Sequence, residues 1–383
     1  MSILPDGRYV DDAPYSDELQ AELRDTDLDL PNWRLVLRRF MRHRLALVSA
    51  VFLLLSYFML PFAGFIAPYT PGERHVEHLY APPQMVHFFH DGAFIGPHVI
   101  PLIAEADLEN FRWNYTRDEE NPARLEFFCE GDEYNLIGFI PTTRHLFCAP
   151  EGATVFLWGS DRLGRDVFSR ILYGAQLSLT VGLVGISVSF TIGIILGSIA
   201  GYFGGTPDWL INRVIEILRS LPELPLWLAL SAAVPSHWGP VAVFFIISII
   251  LGILDWPGLA RAVRSKFLSL REEEFVRAAE MMGAKPSRVI RKHLLPNFLS
   301  HLIASATLSI PAMILGETAL SFLGLGLRAP AVSWGVMLND AQNLASIEIY
   351  PWTAIPMLPI IVIVLAFNFF GDGLRDALDP NTR

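Results

Sequence analysis

Long apolar stretches with almost no charge constrain this chain more than any other feature. Lipid offers no hydrogen-bond partners to the backbone, so each crossing segment must satisfy its own N–H and C=O groups as a helix. A hydrocarbon layer of roughly 30 Å needs about 20 such residues. The stretches that are long or nearly long enough are 45–65, 177–203, 241–254, 299–323 and 356–370. Because 52% of all residues are hydrophobic, we expect a polytopic, all-α membrane protein.

Charge is segregated along the chain. Five arginines precede the first apolar stretch, and such a flank favours the cytoplasm; they are Arg34, Arg38, Arg39, Arg42 and Arg44. Residues 68–157 carry fourteen Asp or Glu against five Arg and no Lys, which is typical of a translocated segment. We therefore expect a cytoplasmic tail at 1–44 that is loosely ordered over 1–30, a first helix at 45–67 that remains as an anchor, and a periplasmic insertion at 68–157 with short strands and turns.

Charge also decides an ambiguous segment at 208–234, where acidic residues, Arg219 and two prolines interrupt an apolar pattern. Residues 261–292 carry nine Lys or Arg against four Glu and should be cytoplasmic, which requires an even number of crossings before them. Counting 208–234 as a crossing helix satisfies that requirement. The prediction is about six transmembrane helices with both termini in the cytoplasm, the last five forming a core at 158–380.

The only two cysteines, Cys129 and Cys148, both fall in the predicted external insertion. An oxidising periplasm allows them to pair, and the disulfide would stabilise a small domain by on the order of 3 kcal/mol. The alternative is two buried free thiols, because two cysteines alone define no framework. The histidines of the insertion are too irregularly spaced to predict a metal site.

A pattern typical of a docking element lies in the predicted cytoplasmic loop, at 272–297. Apolar residues at positions i, i+3, i+4 and i+7 predict a helix with one apolar face; they are Phe275, Ala278, Ala279 and Met282. Gly283 can end this helix, Pro286 suits the first turn of a second one, and Pro296 disfavours its continuation. Two short helices would then meet at a bend, with small residues that allow another protein to approach closely.

The order A-A-x-x-x-G followed by L-P resembles the coupling loop of ATP-binding-cassette importer permeases. The run R-K-H-L-L-P-N, the stretch at 159–183 and the stretch GETALSFLGLGL at 316–327 are similar to the dipeptide and oligopeptide permease family. Arg277 stands where the family motif has Glu, and His293 where it often has Ile. The resemblance implies an ATPase-coupling loop within 261–297 with contact residues Phe275, Arg277, Ala278, Ala279, Met282, Gly283, His293, Leu295 and Pro296. The alternative is an amphipathic lid on the membrane surface.

The same resemblance implies a permease subunit without enzymatic activity that forms half of a path for a small solute, most often a peptide. Its expected partners are a homologous second permease, two ATPase subunits or domains, a periplasmic solute-binding protein and the lipid membrane, with no nucleic acid. The sequence holds no G-x-x-x-x-G-K-[ST] phosphate loop, so we expect no cofactor on this chain and ATP with Mg²⁺ on the partner ATPases.

Five charged residues are candidates for the solute path or an external gate. Glu317 lies within an apolar stretch near the predicted bilayer centre, where it either lines the path or fixes packing between helices. Asp255, near the end of the fourth predicted helix, invites the same two interpretations, and structure is favoured there. Asp161, Arg165 and Asp166 precede the second helix and either contact a binding protein, form a gate, or cap the helix as a salt-linked turn.

Three further hypotheses remain. Another solute, such as an oligosaccharide or a metal chelate, would leave the permease assignment intact. An ion-coupled secondary transporter would use Asp255 and Glu317 as proton carriers. A membrane-embedded hydrolase has little support, because neither H-E-x-x-H nor G-x-S-x-G occurs.

Overall fold

The computed structural model describes residues 2–3, 9–10, 32–107, 112–150, 152–235 and 237–378. Most of the tail predicted at 1–44 lies outside these residues. The described chain is a bundle of helices with a β-rich insertion after its first long helix, which confirms the predicted fold class. Within the described residues the helices are α1 (Asn32–Arg42), α2 (Arg44–Met59), α3 (Ala63–Ile66), α4 (Val167–Phe203), α5 (Gly205–Ser220), α6 (Glu223–Ala232), α7 (Pro240–Leu270), α8 (Glu274–Met281), α9 (Pro286–Val289), α10 (Leu295–Phe322), α11 (Trp334–Asp340), α12 (Leu344–Ile349) and α13 (Met357–Leu378).

Five helical segments of the described chain are long and apolar enough to cross a membrane. Three of them combine several elements, because 3-10 turns at Leu60–Phe62 and Pro351–Ala354 and a π turn at Ile290–Leu294 continue the helical path. The five are Arg44–Ile66, Val167–Phe203, Pro240–Leu270, Pro286–Phe322 and Pro351–Leu378. They overlap the five predicted stretches. Hydropathy underestimated their length, because several helices extend past the apolar layer into charged sequence.

Helices α4 and α7 run parallel to each other. Gly193 faces Leu259, and two turns further on Gly201 faces Phe267, so the contacts advance in the same direction along both helices. Both helices therefore run from one surface of the bundle to the opposite one. Since two parallel spanning helices are joined by residues 204–239, that connection has to cross back.

Helices α5 and α6 make this return crossing together. Asp208 near the start of α5 pairs with Arg264 near the end of α7, and Ile215 packs against Trp256 further back along α7. The segment 208–234, counted from the sequence as one crossing helix, consists of two helices. The helix breaks at Leu221, whose backbone is extended (φ −96°, ψ 139°), because Pro222 disfavours the helical conformation of the residue before it.

Glycines let α4 and α7 approach closely. A Cβ added at Gly197 would lie 2.6 Å from the carbonyl oxygen of Ala260 and 2.8 Å from Cβ of Val263. Small residues at helix contacts are the usual way in which membrane helices gain van der Waals contact, since lipid supplies no hydrophobic driving force between them. The pair α4 and α7 therefore forms a tightly packed centre of the bundle.

One surface of the bundle collects the loop at 261–297 and several helix ends. Helix α10 begins beside the end of α7, where Phe298 packs with Phe267. Gly371, near the end of α13, lies against α10, and Gly373 lies against Ala46 at the start of α2. The starts of α2 and α10 and the ends of α4, α7 and α13 therefore share this surface, which we call the loop side.

The insertion consists of short antiparallel strands at the other surface. The strands of the described chain are β1 (Ser2–Ile3), β2 (Tyr9–Val10), β3 (His87–His90), β4 (Ala93–Val99), β5 (Leu102–Asp107), β6 (Arg112–Arg117), β7 (Ala123–Arg124), β8 (Glu126–Phe127), β9 (Glu130–Leu136), β10 (Ile140–Arg144) and β11 (Phe147–Cys148). Strand β4 pairs with β3 and β7; the other pairs are β1 with β2, β5 with β6, β8 with β11 and β9 with β10.

Hydrogen bonds attach the insertion to the helical core. The N–H of His75 donates to the carbonyl oxygen of Gly164 at 3.0 Å, and the N–H of Ala81 donates to Ser160 Oγ at 2.7 Å. Trp352 Nε1 donates to the Ser160 carbonyl oxygen at 3.0 Å. Within the insertion, Cys129 and Cys148 form a disulfide with a Cα–Cα distance of 6.2 Å, so the two predicted partners are joined.

Candidate functional site

The loop at 261–297 forms a short helix followed by a sharp bend. Helix α8 ends at Met281, and Gly283 two residues later has φ +79° in the left-handed region that favours glycine. The N–H of Gly283 donates to Glu280 and the N–H of Ala284 donates to Ala279, which satisfies two carbonyl groups at the helix end. Pro286 then begins α9. The residues that end the first helix and begin the second are those expected from the sequence.

Helix α8 presents one apolar side to the protein and another to solvent. Val276 and Ala279 are buried, and Val276 packs with Phe267 from the end of α7. Ala278 and Met282 are exposed, as is Phe275. The prediction of a single apolar face was therefore wrong in one respect. Ala279 faces the protein because it lies three residues after the buried Val276, on the same side of the helix.

The exposed apolar side has no covering group among the described residues. Met282 is 82% exposed, and a Cβ added at Gly283 would meet nothing within 4 Å. Arg277 points outward and donates to Glu272 at 2.5 Å, a link between two exposed side chains. We call the exposed residues Phe275, Ala278, Met282 and Gly283 the loop face. They offer a small apolar surface at the bend.

Pro296 does not end the second helix, contrary to the prediction. The helical path continues from Pro286 to Phe322 through the π turn at Ile290–Leu294. A proline inside a helix lacks an N–H and crowds the preceding turn, but the wider coil of a π turn just before it relieves this conflict. Asn297 Nδ2 also donates to the carbonyl oxygen of His293 at 2.6 Å. His293 and Leu295 are half-buried in this connection rather than displayed on the loop face.

Asp255 lies near the middle of α7, not near its end as predicted. The helix continues to Leu270, with Pro257 inside it, although the uncharged run stops at Leu254. Ser189 of α4 donates to Asp255 Oδ2 at 3.0 Å. This bond bridges the closely packed pair α4 and α7, which favours the structural interpretation of Asp255.

Glu317 is completely buried near the end of α10 that is opposite the loop side. It lies five residues before the last residue of that helix, Phe322, and so is not near the centre of the span. Ser321 Oγ and Ser333 Oγ donate to its Oε1 at 2.7 and 2.8 Å, while Oε2 has no hydrogen-bond partner. In this conformation Glu317 therefore holds α10 to the start of α11 and does not line an open path.

Asp161 and Arg165 belong to a buried ion network at the start of α4. Arg165 Nε donates to Asp161 Oδ2 at 2.7 Å, and its guanidinium also donates to Asp340 Oδ2 at 2.8 Å. Arg170 pairs with the same two aspartates and is only 1% exposed. The network joins α4 to the end of α11.

Sequence reasoning missed Arg170 and Asp340. The sequence does single out Arg170, because a charged residue in the first turn of an apolar helix needs a partner. Asp340 carried no such signal, since 170 residues separate it from Arg170.

Asp166 caps α4. Its Oδ2 accepts from the backbone N–H and the hydroxyl of Ser169 at 2.7 and 2.6 Å. Burial raises the pKa of Asp166 to about 7, although both hydrogen bonds act to lower it. Asp161, Arg165 and Asp166 are all buried, so these contacts correspond to the salt-linked, helix-capping alternative.

Two family profiles match the chain. The profile described as binding-protein-dependent transport system inner membrane component matches residues 193–383. The profile described as N-terminal TM domain of oligopeptide transport permease C matches residues 32–83. A relative, dipeptide transport system permease protein DppC of Alkalihalophilus pseudofirmus, is 44% identical over 235 residues, which are 61% of this chain and 75% of the relative. The chain belongs to this permease family.

Another relative, oligopeptide transport system permease protein OppC of Haemophilus influenzae, is 41% identical over 263 residues, 68% of this chain and 79% of the relative. The inward-facing MetNI methionine ABC transporter aligns at 21% identity and a TM-score of 0.43, covering 55% of this chain and 96% of that one. This likeness is too low to add to the assignment. As a member of the family, the chain is a multi-pass membrane permease subunit of an ABC importer.

The two family profiles match separate parts of the chain. The two profiles cover the first spanning helix and the core from Gly193 onward, and they leave residues 84–192 between them. That interval contains all the strands from β3 to β11 and three residues of the buried ion network, Asp161, Arg165 and Arg170, whereas Asp340 of the same network lies inside the second match. The loop face lies inside the second match.

Proposed function

We propose that this subunit carries peptides across the membrane and is driven through its loop face by a separate ATPase. The observation that carries the proposal is the exposed apolar bend of Phe275, Ala278, Met282 and Gly283 in a loop otherwise rich in positive charge. A protein groove can cover such a bend. A lid lying on the membrane would instead place its apolar residues toward lipid, but this bend projects from the end of spanning helices.

The loop face is mechanically joined to a spanning helix. From Pro286 to Phe322 the backbone remains helical, so a force on the bend acts directly on α10. The other end of α8 joins α7 through three residues. Helix α7 meets α4 most closely, since a Cβ added at Gly197 would lie 2.6 Å from Ala260, while one added at Gly182 would lie 3.0 Å from Ile310 of α10. Helix α10 also joins the bend through a π turn, a feature frequent at functional sites. Closure of the ATPase dimer would therefore move α10 relative to the pair α4 and α7.

The complete importer would contain this chain, a homologous second permease, two ATPase subunits or domains and a periplasmic solute-binding protein. ATP and Mg²⁺ would bind to the ATPases. This chain would place its loop side and both termini in the cytoplasm and the β-rich insertion in the periplasm. The arginine-rich flank Arg34–Arg44 and the acidic insertion support that orientation.

Peptides are the proposed solutes because relatives are dipeptide and oligopeptide permeases. Oligosaccharides and other solutes remain alternatives, since the binding protein selects the cargo. An ion-coupled transporter would use Asp255 and Glu317 as proton carriers. The hydrogen bonds of both carboxylates to serines on neighbouring helices favour packing roles in this conformation.

Purification through a tag on this chain, followed by mass spectrometry of its companions, tests the proposal. We expect two ATPase subunits, a second permease and a binding protein whose natural ligand is a peptide. In proteoliposomes, uptake should require ATP and the binding protein. Uptake by the chain alone in response to a proton gradient would contradict the proposal and favour the secondary-transporter hypothesis.

A further inference from the structure

An exposed apolar patch occupies the tip of the hairpin β9–β10. The ten residues 134–143 carry no charge, although Glu133 and Arg144 flank them directly. The tip residue Phe139 is 72% exposed, and Ile137 and Ile140 beside it are also exposed. Phe127 and Phe128 add two more exposed rings. We call these five apolar residues the hairpin patch. Its composition contrasts with the acidic sequence of the rest of the insertion.

The hairpin patch lies beside the end of the first membrane-spanning segment. The N–H of Ile137 donates to the carbonyl oxygen of Pro61 at 3.3 Å, and the ring of Phe128 lies 6.2 Å from that of Phe65. Pro61 is 17 residues after Arg44, the first residue of the span. At about 1.5 Å per helical residue it lies roughly 26 Å along the axis, inside a hydrocarbon layer of roughly 30 Å. The patch is therefore level with the edge of the hydrocarbon.

Two residues of the patch adopt backbone conformations that their side chains disfavour. Ile137 has φ 56° and Phe128 has φ 53°, both in the left-handed region. A β-branched or bulky residue is strained there, whereas Gly or Asn is tolerated. Ile137 is 44% and Phe128 66% exposed, so packing inside this chain, such as that of Phe128 on Phe65, offsets only part of the strain. An apolar environment outside the chain would offset it.

The base of the hairpin is fixed to the spanning segment, so the depth of the tip is defined. Tyr134 is buried, its ring packs against Gly64 of α3, and its hydroxyl donates to the carbonyl oxygen of Arg144 at 2.6 Å. The N–H of Leu146 also donates to the carbonyl oxygen of Phe65. The hairpin cannot swing away from the helix end without breaking these contacts.

We propose that the hairpin patch inserts into the lipid leaflet at the end of the span Arg44–Ile66, with acyl chains and the ester region covering its apolar side chains. Helix α2, which leads to Pro61, also exposes apolar side chains, among them Leu54 and Phe58. Under the orientation proposed above this is the outer leaflet. The insertion is thereby anchored at two places, through α3 and through the hairpin tip.

Site-directed fluorescence in lipid nanodiscs tests this proposal with the purified complex. Phe139→Cys provides a labelling site for an environment-sensitive probe, because the two native cysteines are joined in a disulfide. Glu120→Cys, in an exposed acidic turn of the same insertion, is the matched aqueous control. We expect nitroxide groups at shallow lipid positions to quench the Phe139 probe and aqueous iodide to spare it, with the reverse for Glu120. Ile140→Cys repeats the measurement at the same tip.

Iodide quenching at Phe139 and Ile140 equal to that at Glu120 would overturn the proposal. Protection from both quenchers would overturn it as well, because a protein partner would then cover the patch. Ile137→Asn separates the two roles of Ile137: we expect unchanged or increased thermal stability in detergent together with reduced lipid quenching of the Phe139 probe. Lower stability with unchanged quenching would contradict the argument from backbone strain.

Discussion

Two adjacent alanines in α8 allow docking and folding to be perturbed separately. Ala278 is exposed on the loop face, whereas Ala279 is 3% exposed and packs on the inner side of the helix. The same substitution, alanine to leucine, adds three carbon atoms at either position. Because the helix is shared, differences in helix propensity nearly cancel between the two variants.

At position 278 the added carbons project from the protein surface into whatever covers the loop face. Inserting methylenes into a close-packed contact typically costs about 1–3 kcal/mol. If the ATPase groove packs as closely as a protein interior, that cost corresponds to a loss of affinity of roughly 5-fold to 150-fold. The same cost at Ala279 falls on the subunit itself and lowers its free energy of unfolding by a similar amount.

Two measurements in proteoliposomes and detergent distinguish the variants. Ala278→Leu should retain the wild-type unfolding midpoint but lose most of the peptide uptake and of the ATPase activity that the binding protein stimulates. Ala279→Leu should lower the unfolding midpoint. Ala278→Ser, which adds a single atom, is the control expected to retain transport. Wild-type uptake by Ala278→Leu, with ATPase subunits bound normally, would refute the assignment of the loop face.

Three further predictions concern the core and the insertion. Gly197→Val should destabilise the fold by about 1–3 kcal/mol, because its side chain would meet Ala260 and Val263, whereas Gly239→Ala, which has open space around it, should leave the unfolding midpoint unchanged. Asp340→Asn should lower the free energy of unfolding by about 3 kcal/mol, because the charge of the buried Arg170 is then only partly compensated. Arg213→Gln, in an exposed pair, should change the free energy of unfolding by less than about 1 kcal/mol. Equal effects of the two substitutions would contradict a stabilising role of the ion network. Burial and a hydrogen bond with Asp132 raise the pKa of Glu73 from 4.5 to about 8. The folded protein therefore holds this proton more tightly than the unfolded chain does, and the stability of the fold falls as the pH rises through that interval. Glu73→Gln should reduce the difference in unfolding midpoint between low and neutral pH, and an unchanged difference would assign the pH dependence to other groups.

The sequence predicted those features that depend on local chemistry. Apolar length located the five spans, and Gly283 and Pro286 gave the end of one loop helix and the beginning of the next. The side of α8 that faces the protein was not predictable, because periodicity identifies an apolar face but not its partner. Val276 supplies that information only when Phe267, at the end of α7, is seen to pack against it.

Other features depend on contacts between distant residues. The break at Pro222 had a local signal, yet the return crossing by α5 and α6 becomes necessary only when α4 and α7 are seen to be parallel. The pairing of Arg170 with Asp340 has no local signal at all. Strand pairing in the insertion was equally out of reach, since short strands such as Glu126–Phe127 and Phe147–Cys148 pair across a loop without an alternating pattern.

We propose that the two interpretations of Glu317 correspond to two conformations of one residue. In the described conformation it accepts from Ser333, which also caps α11 by accepting from the N–H of Val336 at 3.2 Å. Helix α10 carries Glu317 near one end and joins the loop face at the other. Closure of the ATPase dimer is proposed to move α10 relative to α4 and α7. The end of α10 that bears Glu317 must then slide against α11, because the ion network around Arg170 holds α11 to α4. We therefore expect this movement to break the bond to Ser333 and expose the carboxylate, so that a packing residue in one state lines the path in the other.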